Sequence, residues 1–202
     1  MIDILMGTLL LAGAGLALQH KEQRQRVALL GTHLRPYQIE KNMEALSSSY
    51  LRALDETEPG RREHIWQLQS NTELQLCNEL ERLVENFAQV PSEQVRVCRW
   101  PLALPYAAHW AAASCFDFRT LLAAHAQGWR DTITNHAQRS PKDKAYTMTA
   151  EMLLMQHSCH WFCKSLTVAS ARLLARHKTT HAQVLDAVSS TTRAAYRGIT
   201  GY

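Results

Sequence analysis

The chain has 202 residues, of which 46% are hydrophobic and 20% are charged, and its formal net charge is +4. This composition excludes a mainly disordered protein, and the length predicts one domain with its own core. Lys and Arg residues are scattered rather than clustered, so we do not predict a nucleic-acid-binding protein.

The first 18 residues, MIDILMGTLLLAGAGLAL, form the most apolar stretch, and Asp3 is their only charged side chain. A helix from Ile4 to Leu18 would be roughly 22 Å long, which is marginal against the about 30 Å hydrocarbon core of a bilayer. No Lys or Arg precedes the stretch and the cleavage signal after it is poor, which argues against a cleaved signal peptide. We predict a membrane anchor helix over residues 1–20 and one helical-bundle domain over residues 21–202. The alternative is a first helix buried against the body.

Two features predict where the body lies. Lys21, Arg24 and Arg26 directly follow the apolar stretch, and the positive-inside rule then places the following chain in the cytoplasm. The cysteines form an odd set without a small-domain disulfide framework, which favours reduced thiols and a reducing compartment. They are Cys77, Cys98, Cys115, Cys159 and Cys163. We therefore predict a single-pass protein of the inner membrane whose body faces the cytoplasm.

In the rest of the chain, the spacing of apolar residues predicts helices along almost the whole length. Residues 39–54 carry apolar side chains at helical spacing, and a long helix is predicted from Pro59 to Val90, just before Pro91. Three prolines between residues 91 and 105 predict an irregular connection with at most a short extended piece. Further long helices are predicted over residues 116–136 and 142–177, followed by short helices with Thr180 and Ser190 as possible N-caps.

These elements predict an all-α protein. We expect an antiparallel bundle of about four long helices plus short C-terminal helices, preceded by the N-terminal hydrophobic helix. The long helix that begins at Pro59 is expected to bury one face that includes Leu68, Leu76 and Leu80. Its acidic residues, such as Glu73, are expected to lie in solvent.

The stretch MQHSCHWFCK, residues 155–164, raises the question of a metal or haem site. On a helix, Cys159 and Cys163 share a face with Met155 and Phe162, and this pattern is typical of a structural core, while His157 points away. A metal is the alternative interpretation, because thiolate and imidazole groups are suitable zinc ligands and another helix would complete the set. The candidate ligands for a transition metal or haem are His125, His136, Cys159, His160 and Cys163.

We find no motif for hydrolase, nucleotide-binding or covalent haem chemistry, so we assign no catalytic residue. The function predicted from the sequence is therefore that of a membrane-anchored helical bundle. It would bind other proteins as an accessory, scaffold or assembly factor, including partners within a membrane complex. The alternative function is a metal- or haem-binding bundle.

Overall fold

The structure, a computed structural model, describes residues 2–202, and it describes side chains for residues 6–10 and 12–202. It is mostly helical, which confirms the all-α class. The longer helices are α1 (Ile2–Leu34), α2 (Ile39–Asp55), α3 (Pro59–Phe87), α5 (Phe118–Thr134) and α6 (Pro141–Cys163). The shorter elements are β1 (Arg96–Cys98), α4 (Ala107–Trp110), β2 (Cys115–Asp117), α7 (Leu166–His177), α8 (His181–Ala187) and α9 (Ser190–Thr200).

Helix starts follow local capping chemistry. Ser140 caps α6 by accepting a hydrogen bond from the backbone of Asp143, and Pro141 occupies the first helical position. Thr180 and Gln183 form a capping box at the start of α8, so Thr180 is confirmed as an N-cap. The cap of α9 is Ser189, one residue before the predicted Ser190.

The predicted helix over residues 142–177 is wrong as a single element, because it is broken between α6 and α7. Lys164 and Ser165 leave the helical conformation, and the Ser165 hydroxyl accepts a hydrogen bond from the backbone N–H of Val168 as the N-cap of α7. The predicted count of about four long helices is therefore not confirmed.

Helix α6 lies at the centre of the protein. It packs against α1, α2, α5, α7 and α8. Its Phe162 ring stacks on Phe118 at 4.5 Å between centroids, and Phe87 of α3 meets both rings edge-on. This aromatic cluster joins three helices in one core.

Two short strands close the irregular connection between α3 and α5. They pair in antiparallel register, with Val97 opposite Phe116 and Cys98 opposite Cys115. Both Val97 and Phe116 are buried, so this small ribbon is part of the body rather than a surface hairpin.

Helix α1 runs without a break across residue 20, where the sequence predicted a boundary. The division into residues 1–20 and 21–202 stays a prediction. Leu30 of α1 is buried in the core, whereas Leu9, Leu10 and Leu16 in the N-terminal half of the same helix are exposed.

Candidate functional site

The N-terminal half of α1 is the most unusual surface of the protein, because large apolar side chains lie in solvent there. Leu9 is 75% exposed and Leu10 is 71% exposed. A side-chain carbon added at Gly7, Gly13 or Gly15 would meet no atom within 4 Å. Leu16 is 67% exposed and Leu18 is 46% exposed. We call residues 2–18 the apolar arm.

Among the residues that the structure describes, no helix is long and apolar enough to cross a membrane. The side chains of residues 2–5 and of Leu11, which belong to the apolar arm, lie outside that description.

One turn after the apolar arm, hydrogen bonds fix α1 to the body. Arg26 donates to the Glu22 carboxylate at 2.8 Å, to the carbonyl of Arg96 at 3.0 Å and to the carbonyl of Phe162 at 3.2 Å. The other oxygen of Glu22 accepts a hydrogen bond from the backbone N–H of Tyr106 at 2.7 Å. This clamp, formed by Glu22 and Arg26, fixes the direction in which the apolar arm leaves the body.

The clamp was not predicted from the sequence, in which Arg26 stands out only as a charge that flanks the apolar stretch. The spacing of Glu22 and Arg26, four residues apart on a helix, is the signal that could have suggested an ion pair. Nothing in the sequence pointed to the carbonyl groups that Arg26 also binds.

A groove of about 550 Å³ lies between α2 and α6, near the end of α7. Its lining includes Met43, Leu51, Met152, Met155, Cys159 and His160. The three methionines are buried and form the floor, whereas Leu51 is exposed at the rim. Methionine side chains adapt to irregular partners, so this methionine groove is a second candidate site.

The residues predicted to bind a metal are dispersed. His125 is buried, while His136 is exposed beyond the end of α5. Cys159 and His160 line the methionine groove, and Cys163 and His125 do not. In the part of the chain that the structure describes, no group of three or more His, Cys, Asp or Glu side chains is placed to hold one metal ion. The metal or haem hypothesis stays a prediction.

The two thiols of α6 pack as half-buried side chains. The thiol of Cys159 lies 3.4 Å from the sulfur of Met155, and burial raises its pKa above the usual range of a thiol. Burial likewise raises the pKa of Cys163 to about 11. Neither thiol is activated as a nucleophile.

His157, which the sequence places away from the face of Cys159 and Cys163, is buried. It donates or accepts a hydrogen bond with Ser170 at 3.1 Å and stacks on His181 at 4.3 Å between ring centroids. The reason is that α6 is covered on most of its sides, so polar as well as apolar residues are buried along it.

His125 and Ser158 form a buried pair that resembles a catalytic dyad only in its distance of 2.9 Å. The Ser158 hydroxyl donates to the carbonyl of Leu154 at 3.0 Å, and the direction of its hydrogen bond with His125 depends on the tautomer of the ring. Burial lowers the pKa of His125 and of His157 to about 3, which keeps both rings neutral.

Two acidic side chains are buried as well. Glu73 accepts a hydrogen bond from Tyr50 at 2.5 Å and pairs with Lys144, so the prediction of a solvated Glu73 is wrong. Leu68, which was expected to face the core, is exposed instead. The position of Lys144 on α6 explains why Glu73 is buried, because the ion pair compensates the burial of its carboxylate.

Glu151 of α6 accepts a hydrogen bond from the backbone N–H of Ser189, and burial raises its pKa. It lies against Gly128 of α5, where an added side-chain carbon would stand 2.8 Å from its carboxylate and would collide with the Thr192 hydroxyl. The glycine thus allows α5 to approach both groups.

The expectation of reduced thiols is wrong for two of the five cysteines, because a disulfide joins Cys98 to Cys115. The antiparallel register of β1 and β2 places them directly opposite each other. Sequence spacing alone gave no sign of this pairing, since the strands are short and the chain between them is irregular.

Comparison of the chain with protein-family models, with curated proteins and with solved structures finds no match.

Proposed function

We propose that the apolar arm inserts into a lipid bilayer and holds the helical body at the membrane, where the body binds other proteins as an accessory, scaffold or assembly factor. The observation that carries this proposal is the exposure of Leu9, Leu10 and Leu16 on an arm that no described part of the body covers. Covering one leucine side chain is worth about 1.5–3 kcal/mol, so several leucines favour insertion strongly.

The clamp supports the same proposal. Arg26 and Glu22 bind each other and the body, so their charges are compensated at the end of the apolar arm that is attached to the body. Lys21 and Arg24 remain exposed beside it and suit the headgroup region. An apolar arm followed by a compensated turn and exposed cations matches the polarity profile of a bilayer surface.

The test replaces Leu9 and Leu10 by Lys in the full-length protein and measures its distribution between membrane and soluble fractions. Each Lys costs about 2.5–3.5 kcal/mol at the centre of a membrane helix, so the variant should move to the soluble fraction. Leu68→Lys is the matched control, because Leu68 is an exposed leucine of α3. A double variant that stays in the membrane as firmly as Leu68→Lys would refute the anchor.

We propose that the body faces the cytoplasm, on the side of Lys21 and Arg24. The disulfide favours the opposite side, because disulfides persist in oxidising compartments. Alkylation of a Leu68→Cys variant in intact cells with a membrane-impermeant thiol reagent separates the two, because Leu68 is exposed. Cytoplasmic placement predicts that this thiol reacts only after the membrane is permeabilised, and labelling in intact cells would reverse the orientation.

For the partner site we propose the methionine groove, since it combines a buried methionine floor with the exposed rim residue Leu51. Affinity capture from detergent-solubilised membranes should recover a protein with the wild type and lose it with Leu51→Asp. Leu68→Asp, at a similarly exposed leucine outside the groove, should retain it. Equal recovery by all three proteins would place the partner site elsewhere.

A further inference from the structure

The segment between the two strands, residues 99–114, is a second exposed apolar surface. Residues 101–114, PLALPYAAHWAAAS, contain no Asp, Glu, Lys or Arg. Leu102 is 67% exposed, Trp110 is 61% exposed and Leu104 is also exposed. The ring of Trp100 lies 5.3 Å from that of Trp110. We call this segment the apolar loop.

The apolar loop lies where the apolar arm leaves the body. Its Tyr106 N–H donates to Glu22 of the clamp. Leu102 and Leu104 line the same shallow pocket as Gln19, which is the residue directly after the apolar arm. The apolar loop therefore lies beside the point at which the apolar arm leaves the body.

The apolar loop is also firmly held. The Cys98–Cys115 disulfide closes its base, and the backbone N–H of Arg99 donates to the carbonyl of Ser114 at 3.0 Å. Both the hydroxyl and the N–H of Thr167 donate to the carbonyl of Pro101. A segment tied at three points keeps its apolar side chains in a fixed place without covering them.

We infer that the apolar loop lies in the headgroup and upper acyl region of the same bilayer that takes the apolar arm. Tryptophan prefers this depth because its ring is apolar while its N–H remains polar, and leucine adds apolar area beside it. The exposed cations Lys21 and Arg24 lie on the adjoining turns of α1 and complement anionic lipid headgroups. This inference rests on the proposed function.

A lipid surface fits better than a protein partner, since the apolar loop continues the surface that the apolar arm begins. With both inserted, the arm sets the anchor and the loop fixes the tilt and depth of the body. The methionine groove, on α2 and α6, then stays available to proteins.

The experiment places the full-length protein in vesicles of phosphatidylcholine and phosphatidylglycerol whose acyl chains are brominated close to the headgroup, and measures the quenching of tryptophan fluorescence. The variant Trp100→Phe with Trp110→Phe is compared with the wild type. Trp66→Phe is the matched control, because Trp66 packs on Tyr50 near the start of α3, beyond the Lys144 end of α6. The loop lines its shallow pocket together with Trp161, which lies near the opposite end of α6.

The double variant is expected to lose the greater part of the wild-type quenching, and Trp66→Phe is expected to keep it. Equal quenching in wild type and double variant, with the protein still bound to the vesicles, would overturn the loop inference and leave the anchor standing. Failure of the wild type to bind vesicles would overturn both. If circular dichroism shows that the double variant is unfolded, Leu102→Asp decides: reduced quenching supports the loop contact, and unchanged quenching overturns it.

Discussion

The apolar arm and helix α6 show opposite relations between composition and burial. The described side chains of the arm are almost all apolar, yet Leu9, Leu10 and Leu16 are exposed. Helix α6 contains Glu151, His157 and Ser158, and all three are buried. The difference teaches that burial here depends on how many helices surround an element, since α6 packs against five other helices, whereas Gly7, Gly13 and Gly15 of the arm face open space. Polar groups inside α6 are tolerated because most of their atoms are hydrogen-bonded.

The two regions are expected to differ most in how much the free energy of unfolding changes when one apolar side chain is truncated in each. Phe162→Ala removes a ring that packs against Phe118, Phe87 and the Arg26 guanidinium, and should lower the free energy of unfolding by roughly 3–5 kcal/mol. Leu10→Ala in the apolar arm should change it by less than about 0.5 kcal/mol. Denaturant titration of both variants in one detergent measures this; equal losses would show that the arm packs into the core.

A smaller effect sharpens the comparison for the polar contacts around α6. Gly128→Ala should lower the free energy of unfolding by roughly 1–3 kcal/mol, because the new methyl group collides with Thr192 and crowds Glu151. Gly198→Ala in α9 is the matched control, since it points into open space and removes a helical glycine, and should stabilise by about 0.5–1 kcal/mol. Thermal unfolding measures both changes. An equal change in stability for the two variants would contradict the close approach of α5 to Thr192 and Glu151.

The smallest effect concerns pH. The pKa of His125 is about 3 in the folded protein against about 6.5 when unfolded. Between these values the unfolded state binds a proton that the folded state does not, so stability falls as the pH drops below about 6.5. At about pH 5.5 this costs about 1.4 kcal/mol, which His125→Gln should remove.

The exposed His136 supplies the control for that measurement, since His136→Gln should leave the pH dependence of unfolding unchanged. Burial raises the pKa of Glu151, which acts with the opposite sign, so the difference between variant and wild type isolates the histidine. An acid dependence that is identical in wild type and His125→Gln would mean that the folded state accommodates the charged ring.

Local signals in the sequence predicted much of the fold. The spacing of apolar residues gave α2, Pro59 gave the start of α3, and Thr180 gave the cap of α8. The break at Ser165 was missed because a serine N-cap inside an apolar run looks like an ordinary helix residue.

The candidate sites were less predictable, because they depend on contacts between distant segments. The apolar arm is visible in the sequence, but the clamp needs Arg96 and Phe162 brought to Arg26 by the fold. The Cys98–Cys115 pair and the apolar loop likewise depend on a strand register that three residues per strand do not reveal. Burial of Glu73 required its partner Lys144, which lies 71 residues away in the chain.

Removal of residues 2–18, followed by membrane fractionation and circular dichroism, tests the central claim most directly. The proposed anchor predicts that the truncated protein moves to the soluble fraction and keeps the helical signal and the melting temperature of the body, because the described leucines of the arm lie outside the core. A truncated protein that unfolds or aggregates, or that remains in the membrane fraction, would contradict the account.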